Sequence, residues 1–261
     1  MKYNLHLLLF AILFLFQSCS DNSVTNSEND SDSDNEENPN FNYNHEDQPG
    51  NSALDFLADE DFENLVIEFD YMEGYEPTEE TLNNLKSFLE SRLNKSNITI
   101  MSPSSIEAGG QSSYTANEVR DLEEVHRSEF SEENTLAVYV IILDGEYSQS
   151  NVLGIAYYNT SAALFGKSIQ NASDGIGSNP KSLIESTVLQ HEFGHLLGLV
   201  NNGVEMQENH QDDGNGNHCD NEHCLMYYAV ETSDFFTSLL GGEVPELDAN
   251  CHADLAAAGG K

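Results

Sequence analysis

The chain has 261 residues, enough for one large domain or two small ones with a sizeable core. Nine basic residues against 46 acidic ones give a formal charge of −37, which excludes a nucleic-acid binder and repels anionic lipid headgroups. That charge suits solubility in a salty setting better than it argues for a basic substrate.

The first residues read as an export signal. Lys2 supplies a short basic region, and Leu5 to Phe16 is apolar apart from His6. The run is too short for a comfortable membrane span and right for a signal-peptide core. Leu15-Phe16-Gln17-Ser18-Cys19 resembles a bacterial lipobox, and the resemblance implies cleavage before Cys19 and a lipid on its sulfur. Residues 1–18 are therefore expected to be a lipoprotein signal peptide. Residues 19–50, almost all Ser, Asp, Asn and Glu, are expected to form a disordered acidic tether, because they bury too little apolar surface to offset ordering entropy. Lipid and leash would hold the remaining domain, 51–261, on the cell envelope outside the cytoplasm, at an outer membrane or cell surface.

Leu65 to Tyr71 alternates, with β-branched and aromatic residues, and predicts a first strand. Thr78 caps a helix to about Asn94, with Leu82, Leu85, Phe88, Leu89 and Leu93 at helical spacing. Ile98 to Met101 is a short strand stopped by Pro103. After a polar, glycine-containing loop, Val119, Leu122 and Val125 mark a helix from about Ala116 to Phe130. Leu136 to Leu143 is uninterruptedly apolar, as expected of a central strand covered on both faces. Val152 to Tyr158 and Ala162 to Phe165 predict two more strands. Asn179-Pro180 opens a long helix, with Asn as cap and Pro at the first position, and Gly198 ends it. A final helix follows Pro245, with Leu247, Cys251, Leu255 and Ala258 on one face. This order predicts an α+β or α/β chain, a mixed sheet with helices packed on it.

The long helix carries His191-Glu192-Phe193-Gly194-His195, and Gly198 follows. Histidines four apart share a helix face, so both imidazoles can reach one metal ion. Glu192, beside the first of them, can then take a proton from water at the metal. This H-E-x-x-H resembles the zinc-metalloprotease signature, and the added glycine leans it toward the metzincin form. Phe193 and Leu196-Leu197 argue against a fully solvated helix with incidental histidines.

Catalytic zinc normally takes three protein ligands and keeps a fourth position open. In the metzincin pattern the third ligand falls three residues after the glycine, at Asn201 here, and a neutral amide is a poor zinc ligand. Further on, His218-Cys219, four residues, then Cys224-Leu225-Met226 resembles a piece of the archaemetzincin pattern, where H-E-x-x-H-x-x-G-x-x-H runs directly into C-x4-C-x-M. Here that piece is displaced by 17 residues, and an inserted loop, Asn201 to Asn217, explains both facts. The resemblance then makes His218 the third zinc ligand and Met226 the residue of the turn beneath the metal. It permits Tyr228, two residues later, to stabilise an oxyanion, beside the plainer reading of a core contact. His210, inside the insertion, is the alternative third ligand, followed by Glu205, Glu208, Asp212 or Asp213.

Beyond Cys19 the chain has Cys219, Cys224 and Cys251, an odd number for an oxidising compartment. One disulfide with a spare thiol is the simplest reading. The archaemetzincin resemblance offers instead a second, structural zinc held by the three cysteines with His223 or His252. Asp213, Asn215 and Asn217 have the alternate spacing of a calcium loop, but His218 stands where its glycine belongs. Gly154 to Tyr157 resembles the metzincin edge strand, which can pair with an extended peptide.

Taken together, the resemblance implies a metzincin-like zincin of the α+β class: a mixed sheet with packed helices, an active-site helix at the cleft and a C-terminal helical subdomain. It implies a zinc-dependent endopeptidase (Zn2+ on His191, His195 and His218, Glu192 as base) acting on extracytoplasmic peptides or proteins. Two other readings stand beside it. One is a surface binding lipoprotein that has lost turnover, motivated by Asn201; the other is a zinc hydrolase of a non-peptide bond.

Overall fold

A computed structural model describes residues 42–174, 178–238 and 242–261. The signal peptide and residues 19–41 of the expected tether lie outside the described residues. The elements run α1 (Ala53–Leu57), β1 (Asn64–Met72), α2 (Glu79–Glu90), β2 (Asn97–Ile100), β3 (Ser104–Ile106), β4 (Ser113–Tyr114), α3 (Ala116–His126) and β5 (Thr135–Leu143). Then come β6 (Glu146–Tyr147), β7 (Gly154–Tyr158), β8 (Ser161–Phe165), α4 (Gly166–Ser173) and α5 (Lys181–Leu196). A 3-10 turn (Tyr228–Glu231), α6 (Ser233–Ser238) and α7 (Ala249–Ala257) complete them. This is an α+β fold.

The main sheet has the order β2-β1-β5-β8-β7, with β3 also on β1. All its pairings are parallel except β7 with β8. β5 is central, and its side chains alternate between two cores. Leu136, Val138, Val140 and Ile142 join the layer of α2 and α5, while Tyr139, Ile141 and Leu143 join Val119 of α3 on the other face. The apolar run of that strand follows from this two-sided burial. α5 packs on α2, β7 and β8, so the H-E-x-x-H helix lies under the sheet edge that β7 forms.

Several local expectations are corrected. α3 stops at His126 rather than near Phe130. The reason is Glu68 of β1, whose carboxylate accepts from the N–H of Ser128 and Glu129 at 3.0 and 2.8 Å and pulls that backbone out of helix. The cap of α5 is Pro180, without a side-chain cap bond, while the Asn179 amide donates to the Phe236 carbonyl at 2.7 Å. The polar loop before α3 holds the short strands β3 and β4, which its sequence does not announce. Residues 42–50, counted with the tether, are tied to the domain: Asn159 exchanges bonds with Asp47 at 3.1 and 2.9 Å and donates to the Asn44 carbonyl at 2.8 Å.

The C-terminus of α5 matches its expected glycine. Gly198 has φ +76, its N–H bonds to the His195 carbonyl at 3.1 Å, and the Leu199 N–H bonds to the Gly194 carbonyl at 3.1 Å. These two bonds make a Schellman motif, which turns the chain sharply away from the helix toward the insertion. Beyond it the described residues hold only short helices and isolated bridges, among them Gln211 with Cys219 and Cys219 with Tyr227.

Candidate metal centre

α5 presents His191 and His195 from one face, their rings 4.8 Å apart and nearly perpendicular. His218 arrives from the insertion to complete the group, its ring 5.2 Å from His191 and 4.9 Å from His195. What delivers it is Asn217, whose amide donates to the carbonyls of Val200 and Asn201 at 3.2 Å each. These bonds draw the end of the insertion back to its start, so the residue after it stands beside the two histidines of α5. Asn201 itself adopts φ +59, and its amide faces Gln211.

The proton positions on two of the rings are fixed by their partners. Nδ1 of His191 lies 2.7 Å from the Leu225 carbonyl, and Nδ1 of His218 lies 2.7 Å from the Asn215 carbonyl. A carbonyl only accepts, so each Nδ1 carries the hydrogen and each Nε2 presents a lone pair. Those two Nε2 atoms face one another at 3.2 Å. Burial, with the His218 ring adding to it, pushes the His191 imidazole down to about 3; burial also depresses His218, and drives His195 well below its ordinary value. A proton is therefore disfavoured between the rings. A metal cation fits there, since imidazoles anchored at the other nitrogen are the usual ligand arrangement.

Glu192 follows His191 but lies outside the set of donors that could share one ion. Its Oε1 is buried without a hydrogen-bond partner, close to where a side chain on Gly154 would reach, and the Ala156 N–H bonds its carboxylate. Burial, then the nearby charge of Glu231, lifts the Glu192 carboxyl well above the carboxylate range. Met226 is fully buried, with Sδ 2.2 Å from where a side chain on Gly194 would begin, so it lies against α5 between the two histidines. The adjoining cleft is lined by Glu192, His195, His218 and Glu231, by Ile155, Ala156 and Tyr157 of β7, and by Gln48, Pro49, Asn202 and Asn217.

Other expected residues fall elsewhere. Tyr228 is 36 % exposed and lines a separate hollow with Glu222, His223 and Phe235. His210 is not with the three histidines. Its Nδ1 lies 3.4 Å from Cys219 Sγ and 4.0 Å from Cys251 Sγ. Cys219, Cys224 and Cys251 are all free and buried, which corrects the expected disulfide; Cys224 and Cys251 have Sγ atoms 3.6 Å apart. Hydrogen bonds from Cys219 and then Cys251 pull the Cys224 thiol well below its usual range. His223 and His252, the histidines expected beside these cysteines, are exposed instead. Of the Asp213, Asn215 and Asn217 triplet, Asn215 donates to Asp212 and Asn217 holds the loop closed, while Asp213 is exposed. The sequence did not point to Glu231, to the loop-closing role of Asn217 or to the place of His210; Glu231 belongs to no spacing pattern, and the spacing that includes Asn217 suggested calcium instead.

No family model matches the chain, and no curated protein matches it. Among solved structures it is similar to an archaemetzincin from Methanopyrus kandleri, with 14 % identity, a TM-score of 0.48, and coverage of 76 % of this chain and 95 % of that one. It is also similar to metalloproteinase-II from Bacteroides fragilis, with 16 % identity, a TM-score of 0.40 and coverage of 77 % of this chain. That alignment spans 54 % of the second structure, about half its length.

Proposed function

We propose that this protein is a zinc-dependent peptidase, with His191, His195 and His218 as the zinc ligands and Glu192 as general base. The observation that carries the reading is the pair of lone pairs on His191 and His218, facing at 3.2 Å beside His195 and the partnerless Glu192 oxygen. Held by those three histidines, a zinc ion would supply the Lewis acid for a scissile carbonyl and would lower the pKa of water toward neutral. Glu192 takes the proton of the attacking water and hands it to the leaving amine. β7 ends the sheet order and lines the cleft, so an extended peptide can lie along it by main-chain pairing, which supports an endopeptidase mode.

His210, Cys219, Asp248 and Cys251 form a second candidate site, their donor atoms all within 4.8 Å of one another, and Cys224 Sγ lies 3.6 Å from Cys251 as a further thiol beside it; sulfur and imidazole donors of this kind suit a structural zinc. Asp254 Oδ2 lies 2.8 Å from His210 Nε2 and so orients Nδ1 toward the sulfurs, as carboxylates do behind metal-bound histidines. The substrate is a peptide or protein outside the cytoplasm, reached from a lipid anchor on Cys19; this part rests on the sequence Leu15 to Cys19 alone. The test is cleavage of a casein or peptide substrate by the purified protein before and after chelation. Loss on chelation and recovery with zinc are expected; undiminished cleavage by metal-free protein would contradict the reading.

A further inference from the structure

Glu231 is the residue at this centre that no motif announces. It ends the 3-10 turn Tyr228–Glu231, just after Met226, and its backbone is pinned: its carbonyl accepts the Leu153 N–H at 2.9 Å, where the chain enters β7. Its side chain points into the cleft beside His195 and His218. One carboxylate oxygen lies, with a ring nitrogen from each of His191, His195 and His218, in a group whose members are all within 4.8 Å of one another. Donors about 2.0–2.2 Å from one tetrahedral zinc stand about 3.3–3.6 Å apart, so these four need only a small contraction to share an ion. The Glu231 carboxylate accepts no hydrogen bond from any described residue, so no protein partner holds it back.

We infer that Glu231 is a fourth protein ligand of the centre and closes it in the resting protein. The inference rests on the three-histidine metal reading and adds regulation to it. A carboxylate in the fourth position stands where water and the scissile carbonyl must bind. The side chain would therefore have to swing aside before a substrate engages. Glu192, outside the shared group, stays free to act as base. Substrate engagement then displaces one carboxylate.

The test compares the full chain with its Glu231→Gln, Glu231→Ala and His191→Ala forms by zinc affinity in chelator competition and by cobalt(II) absorption. Gln keeps the shape of Glu but ligates poorly, so it separates ligation from folding. Cobalt at the cysteine cluster is common to all forms and cancels in difference spectra. Both Glu231 variants are expected to bind zinc about tenfold or more weakly, at least the loss seen for outer-shell partners, and to change the visible cobalt bands. Unchanged affinity and superimposable spectra for both, with affinity lost in His191→Ala, would overturn the ligand role and leave the three-histidine site standing. If His191→Ala also changes nothing, the metal reading fails and this inference with it.

Discussion

At the scale of single residues, His191 and His218 hold two lone pairs 3.2 Å apart, an arrangement that a cation between them satisfies. Each ring is held in place by its other nitrogen, bonded to the Leu225 and Asn215 carbonyls, so each Nε2 is turned toward the centre. His210 of the insertion and His218 just after it differ in role. His218→Ala is expected to lose the zinc of the histidine site, while His210→Ala keeps it and loses metal only at the cysteine cluster; metal analysis of each purified variant reads the difference. The reverse pattern would reverse the ligand assignment. His218 was legible because the H-C-x4-C-x-M piece survives the insertion. Asn217, which makes the displacement harmless, was not, because an amide bonded to main-chain carbonyls leaves no signature. The three thiols misled for a related reason: an odd count invites a disulfide, and only the fold shows His210 among them.

Among the elements, α5 does most to build the centre, and Gly194 is its tightest point. A methyl there would begin 2.2 Å from Met226 Sδ and 3.0 Å from its Cε, between two histidines that must stay aligned. Methionine is flexible but fully buried here, so it cannot yield freely. Gly194→Ala is expected to destabilise the protein by roughly 1–3 kcal/mol, the usual range for overpacking, even though alanine favours helix. Thermal and denaturant unfolding measure it, and an unchanged or higher stability would show that Met226 has room. Gly198 and the stop of α3 are helix ends of two kinds, one set locally and one by a distant residue. Gly198 was readable, since a left-handed residue at a helix end favours glycine and Gly198 has φ +76. The early stop of α3 was not, because the carboxylate that unwinds it belongs to Glu68, 60 residues before Ser128. Short pieces such as β3 and β4 rest on neighbours rather than on their own pattern.

For the whole molecule, the apolar run of β5 and the order of strands and helices were enough to predict a mixed sheet with packed helices, because two-sided burial and amphipathic faces write directly into composition. The edge of the domain was harder to see. Residues 42–50 are polar like the stretch before them, yet Tyr43 bonds Asp55 at 2.7 Å, and Gln48 and Pro49 line the cleft. The metal centre thus draws on a segment before α1, the sheet edge, α5, the insertion and the turn after Met226. Among the described residues no helix is long and apolar enough to cross a membrane. The most direct test of peptidase activity is digestion of a mixed peptide pool by the purified, zinc-loaded protein beside its Glu192→Gln form. The account predicts cleavage by the parent and a loss of about 10²–10⁴-fold in the variant, with zinc content unchanged. Equal cleavage by both, or none by either while both carry zinc, would contradict it.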